Sequence, residues 1–293
     1  MRSKFHGVAP ALTTPMLEDG SIDFDGLTKL LQYVSDGGVD YLVVQGTTGE
    51  SATLSKEEKK SVLEFIKANN PKDLPIVYGL GGNNTPAVIR EIQSTDFYGI
   101  DAILSVCPYY NKPSARGVIA HYTAIADACP VPVFMYNIPG RSGINMSAAT
   151  TLELAKHPNI IGIKEASCII EQVMEINKDK PEDFLIISGD DVQGVPIIAC
   201  GGVGVMSVIA NAIPAKFTEM IHAALDGDFK SARTTLGSFL AIDPLLYEEG
   251  NPVGVKKILE IKGICGSEVR LPLVKASDEL GERMEVILAK DKL

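Results

Sequence analysis

Short apolar runs rich in Val and Ile recur along the chain at a spacing of roughly 20–35 residues, with longer stretches of mixed polarity between them. The runs are GVAPAL (7–12), YLVVQG (41–46), PIVYGL (75–80), DAILSV (101–106), PVFMYN (132–137), IIGIKE (160–165), FLIISG (184–189) and GVGVMSV (202–208). Each reads as a β-strand. They are nearly continuous in apolar residues, the pattern of parallel strands covered on both faces. The intervening stretches carry helical periodicity. In SKEEKKSVLEFIKANN, Ser55 and Glu58 form a capping box, and Val62, Leu63, Phe65 and Ile66 line one face. PAVIREIQSTDF, GVIAHYTAIADA, AATTLELAKH and IIEQVMEINKD follow the same plan. Strands alternating with helices build a parallel sheet. Eight such units predict an α/β fold, a (β/α)8 TIM barrel. The rival is an open doubly wound sheet, which normally places a Gly-rich phosphate turn after its first strand. Here that position holds TTPMLEDGSID.

After Pro214 the strand pattern stops. KFTEMIHAALDGDFKSARTTLGSFLAI, VGVKKILEIKGI and SDELGERMEVILAK all read as helical. The start of the first completes the barrel, and the rest forms a small C-terminal helical appendage. The expected division is a catalytic barrel over 1–224 and a helical domain over 225–293. From Val192 to Ala215 no residue is charged, long enough to cross a bilayer. Pro196, Gly201, Gly202, Gly204, Asn211 and Pro214 instead fit a buried helix, a tight turn and a buried strand.

Composition narrows the class. With 27 basic and 37 acidic residues the net charge is −10, and no basic patch of the kind nucleic-acid binders use is visible. The five cysteines form no C-x-x-C pair, so reduced thiols are expected. The four histidines lack metal-ligand spacing, so no metal site is expected. MRSKFHGVAPAL has no long apolar core of a signal peptide. The expectation is an acidic cytoplasmic protein, neither nucleic-acid-bound nor membrane-embedded.

Active sites of such barrels lie at the C-terminal ends of the strands. One residue there is out of place. Lys164 ends an apolar strand, where an unpaired ammonium is costly to bury. Apolar surroundings lower an amine's pKa, and a neutral amine adds to carbonyls to form a Schiff base. The plainer alternative is a solvated lysine, or one paired with Glu165. Tyr136 ends the neighbouring strand, where a phenol can relay protons; it could equally be a rim tyrosine. Thr47 and Thr48 lie in a Gly-flanked turn whose amides and hydroxyls can grip a carboxylate. Arg141 is a forked donor suited to a carboxylate, or else a solvated loop residue.

GTTGES (46–51), PYYNKP (108–113), YNIPGRSG (136–143) and GIKEAS (162–167), in this order, resemble the dihydrodipicolinate synthase family of pyruvate-dependent class I aldolases. The resemblance spans essentially the whole chain. It implies a lyase that condenses pyruvate with L-aspartate 4-semialdehyde, without metal or organic cofactor, in lysine and diaminopimelate synthesis. It implies Lys164 as the imine-forming lysine and Tyr136 as the general acid/base. Thr47 and Tyr110 match a proton relay, with Tyr110 supplied by the neighbouring subunit in a homotetramer of two tight dimers. Thr48 and Met206 match pyruvate contacts, Met206 through its backbone where relatives commonly carry Ile or Val. Arg141 matches the arginine that receives the carboxylate of the semialdehyde, and Ser142 stands where many members have threonine. The nearest rivals share the Schiff base: N-acetylneuraminate lyases and 2-keto-3-deoxy sugar acid aldolases. Arg141 in Y-N-I-P-x-R favours the synthase. A phosphate-binding barrel isomerase would need a basic partner near GGVGVM, and a catalytically dead paralogue would lack some motif residues. In lysine-inhibited members, the positions of Lys59 and Ala87 typically carry histidine and glutamate, so little inhibition by L-lysine is expected.

Overall fold

The computed structural model describes residues 4–293. Met1, Arg2 and Ser3, the start of the segment read as lacking a signal peptide, lie outside the described residues. Eight strands appear where the apolar runs stand: β1 (Gly7–Pro10), β2 (Leu42–Val44), β3 (Ile76–Gly79), β4 (Ala102–Val106), β5 (Val133–Asn137), β6 (Ile160–Glu165), β7 (Leu185–Ser188) and β8 (Gly204–Ser207). They form one sheet in the order β1-β8-β7-β6-β5-β4-β3-β2. Ala11, just past β1, bridges Val43 of β2 in parallel, so the two ends of that order meet. Strands in sequential order around a closing sheet make a (β/α)8 barrel. The doubly wound rival reverses its strand order at a switch point, and no such reversal occurs.

Two compact units divide the chain, Pro75–Met206 and the remainder. In the Pro75–Met206 unit, β3 to β7 pair in parallel, with registers such as Val77↔Ala102, Val106↔Tyr136 and Tyr136↔Lys164, and Ser188 pairs with Val205 of β8. Nearly every strand side chain is buried, because helices such as Thr85–Ser94, Ala115–Ala128 and Ile170–Asp179 stand between successive strands. Side-chain caps start several of these helices: Asn84, Ser114 and Ser147 each accept a backbone N–H of the first turn. The uncharged stretch after Val192 resolves into a short helix (Gly194–Ala199), a turn and β8, as its glycines and prolines imply.

The other unit holds β1, β2 and the C-terminal helices. Helix Lys56–Ala68 carries the expected capping box, and Val62, Leu63 and Ile66 are buried. Phe65 is only half-buried and packs on Phe24 with ring centroids 4.8 Å apart. Phe24 opens helix Phe24–Asp36, capped by Asp23, which periodicity alone had not singled out. The predicted helix over 216–242 breaks into Pro214–Leu225 and Phe229–Phe239 at Asp226-Gly227-Asp228, where Gly227 takes a positive φ. Phe217 and Phe239 hold the two pieces edge to face at 5.5 Å. Helices Val253–Ile261 and Asp278–Asp291 follow. Among the described residues no helix is long and apolar enough to cross a membrane.

Candidate active site

Strands β5 and β6 set the chemistry side by side. Their register pairs Tyr136 with Lys164 and Asn137 with Glu165. Because strand side chains alternate faces, Lys164 and Glu165 separate. Glu165 turns into a buried polar network: Asn137 Nδ2 donates to both of its oxygens at 3.0 Å, Gln172 Nε2 at 3.0 Å and the Ser167 amide at 2.7 Å. Pairing with Glu165 therefore does not explain Lys164. Instead Lys164 Nζ lies 4.4 Å from the ring centroid of Tyr136. The lysine is only 5% exposed. Burial brings its pKa down to about 8; Asp191 opposes the shift and the charge of Arg141 adds to it. Gly189, after β7, makes the room: a Cβ there would stand 2.9 Å from Lys164 Cε and 2.8 Å from Ala166 Cβ.

After β5 the chain forms a one-turn helix, Pro139–Ser142, closed by Gly143 in the left-handed region. Ser142 Oγ donates into this turn at the carbonyls of Ile138 (3.0 Å) and Ile144 (2.9 Å). That leaves Arg141 exposed, near enough for its charge to act on Lys164. The loop after β4 leans on the same turn, the Tyr110 amide donating to the Ser142 carbonyl at 3.4 Å. Tyr110 has φ 72° and is 88% exposed, so its phenol is not packed beside Lys164 in this chain. Met206 lies in β8, buried.

Thr47 and Thr48 belong to the other unit. They open the 3-10 turn Thr47–Gly49 after β2. Thr48 is buried, and its hydroxyl oxygen accepts from Asn251 Nδ2 at 3.1 Å. Thr14 Oγ1 donates to the Gly49 carbonyl at 2.7 Å. Glu50, next in the motif, is gripped by Lys256 and by the backbone amide of Arg270. Sequence reasoning missed Asn251, Lys256 and Arg270. They lie more than 200 residues from the turn, and a lysine in VGVKKILEI reads as an ordinary solvated helix lysine.

A family model described as the dihydrodipicolinate synthetase family matches residues 4–291. The chain is 56% identical to the 4-hydroxy-tetrahydrodipicolinate synthase of Cytophaga hutchinsonii, over 96% of this chain and 95% of that one. It is 47% identical to the protein of the same name from Parabacteroides distasonis, over 96% and 95%. Among solved structures, the chloride-inhibited dihydrodipicolinate synthase of Acinetobacter baumannii, complexed with pyruvate, superposes with a TM-score of 0.94 at 35% identity. That match covers 98% of this chain and 99% of the other. With its motifs, strand order and relatives in agreement, the chain belongs to the dihydrodipicolinate synthetase family.

Proposed function

We propose that Lys164 is the imine-forming nucleophile of a 4-hydroxy-tetrahydrodipicolinate synthase, a lyase that condenses pyruvate with L-aspartate 4-semialdehyde in lysine and diaminopimelate synthesis. The activity follows from family membership. One observation carries the residue assignment: a buried lysine with its pKa near 8, against a tyrosine ring, at the end of β6. At that pKa a substantial fraction of the amine is neutral near pH 7–8. Neutral Nζ adds to the pyruvate ketone, and the carbonyl oxygen leaves as water. Loss of a methyl proton gives the enamine, whose carbon attacks the aldehyde. The amine of the bound adduct then displaces Lys164 and closes the ring.

Tyr136 donates and accepts the protons of these steps, with Thr47 and Tyr110 passing them onward. Thr48 and the Met206 backbone hold pyruvate. Arg141, exposed on its one-turn helix, receives the carboxylate of the semialdehyde as a forked donor. The exposure of Tyr110 supports its reaching the site of a neighbouring subunit in a cytoplasmic homotetramer; a sedimentation measurement giving a monomer at working concentration would remove that assignment. The barrel ends near residue 224, and the C-terminal helices from 225 form the second domain. A coupled assay decides the acceptor. Aspartate semialdehyde should turn over at least a hundredfold more efficiently than N-acetylmannosamine or glyceraldehyde; the reverse preference would place the chain with the sugar-acid aldolases.

A further inference from the structure

The turn that carries Thr47 and Thr48 makes its own short backbone hydrogen bonds, Gly49 to Gly46 and Glu50 to Thr47, and is held from outside as well. Glu50, which ends it, has φ 54°, a left-handed conformation that residues with a side chain seldom adopt. Such conformations persist where the surroundings over-determine them. Here the surroundings come from far along the chain. Lys256, 0% exposed, donates to Glu50 Oε1 at 2.5 Å and to the Glu268 carbonyl at 2.6 Å. The Arg270 amide donates to Glu50 Oε2 at 3.0 Å. The Arg270 guanidinium then binds the carbonyls of Gly20 and Thr53 and, through both terminal nitrogens, the carboxylate of Glu58. Asn251 Nδ2 donates to Thr48 Oγ1. The segment 251–270 thus grips the turn at Thr48 and Glu50, and the first turn of the following helix at Glu58.

Stability is a weak explanation for the innermost contact. A buried ion pair is often no more stable than apolar residues of the same volume. What a pair of this kind does provide is fixed geometry. The contact at Thr48 also has chemical content. A hydroxyl that accepts a hydrogen bond from an amide keeps its own hydrogen to donate, which suits an anionic or carbonyl oxygen. We propose that Lys256 is a positioning residue for the reaction: locked on Glu50, it sets the turn that presents the Thr47 and Thr48 hydroxyls, while Asn251 aims the hydroxyl of Thr48. The inference rests on the reading that these two threonines serve pyruvate binding and proton transfer.

The test uses the full-length enzyme and separates kcat from the KM for pyruvate. Lys256→Met alone would strand Glu50 as a buried, unpaired charge and can prevent folding. The paired variant Lys256→Met/Glu50→Gln removes both charges and keeps the volume. Asn251→Ala leaves the ion pair in place. In both, the pyruvate KM should rise about five- to tenfold, the scale of one misplaced hydrogen bond, with the thermal midpoint of Asn251→Ala close to wild type. A merely structural pair predicts a lower kcat from lost active enzyme with an unchanged pyruvate KM, and that result overturns the proposal. So does a pyruvate KM within twofold of wild type in Asn251→Ala, should the paired variant fail to fold. Thr48→Val is the reference. If it impairs pyruvate binding while the clamp variants do not, the clamp idea alone fails. If Thr48→Val is itself silent, the role given to the turn fails and the clamp has no catalytic consequence.

Discussion

Two lysines of this chain are buried, and they are opposites. Lys256 sits among apolar residues of helix Val253–Ile261, and burial lowers its pKa. Yet Glu50 and the Glu268 carbonyl hold its ammonium directly. Lys164 is buried at the end of β6, and among the described residues no hydrogen bond or ion pair holds its Nζ. Asp191 and Arg141 act on it only through space, in opposite senses. Burial is common to both, so burial does not make a nucleophile. The difference is a partner. An ammonium held by a carboxylate keeps its proton and its lone pair is unavailable; one that burial desolvates without a hydrogen-bonding partner releases the proton near pH 8.

Exchanging each lysine for methionine should break the two regions in different ways. Lys164→Met should lose activity by about 10⁴-fold or more, as for removal of a covalent nucleophile, while urea unfolding shows stability equal to or above wild type because a buried amine is gone. Lys256→Met should cost about 3–5 kcal/mol of unfolding free energy, since Glu50 is left buried and unpaired. If Lys164→Met is the destabilised one, the assignment of partners is wrong. Arg141→Met should lower kcat/KM by about 2–5 kcal/mol, roughly 30- to several-thousand-fold. The loss should fall on aspartate semialdehyde, while imine formation with pyruvate persists; equal loss on both substrates would give Arg141 a structural role.

Much of this was visible in the chain itself. The eight strands were legible because parallel strands are buried on both faces and leave unbroken Val/Ile runs. The capping box at Ser55–Glu58 was legible because it is a local, four-residue device. Lys164 stood out because a charge violates the pattern around it. The rest depended on tertiary contact. Helices Pro139–Ser142 and Leu245–Glu248 are single turns, too short for a period. Lys256 and Lys257 are adjacent in sequence, yet one is wholly buried on Glu50 and the other pairs with Glu260, both half-buried. Only the packing of the helix tells them apart. Gly189 likewise looks like an ordinary glycine after a strand until the side chain of Lys164 is placed beside it.

That glycine sharpens the comparison further. Gly189→Ala would press a methyl against Lys164 Cε and Ala166 Cβ. Overpacking of this kind costs about 1–3 kcal/mol, and displacing the amine should lower kcat/KM about ten- to a hundredfold. A Gly189→Ala enzyme with wild-type kinetics would show that the position of Lys164 is not tightly set. The smallest expected effect concerns L-lysine. The resemblance places Lys59 and Ala87 at positions where it implies histidine and glutamate in inhibited members; an effector bound there would meet a like charge at Lys59 and no carboxylate at Ala87. Millimolar L-lysine should leave the steady-state rate nearly unchanged. Half-inhibition below about a millimolar, corresponding to about 4 kcal/mol of binding, would mean that other residues supply those contacts.

The most direct test of the difference between the two lysines is reductive trapping. The native enzyme is incubated with pyruvate and cyanoborohydride at a series of pH values, and the label is located and quantified by peptide mass spectrometry. The predicted result is one reduced pyruvate adduct, on Lys164 and never on Lys256. Its initial rate should rise with pH as the ammonium loses its proton and level off above about pH 8, the pKa that burial imposes. A label on another residue, or a midpoint at the ordinary lysine pKa near 10.5, would contradict it.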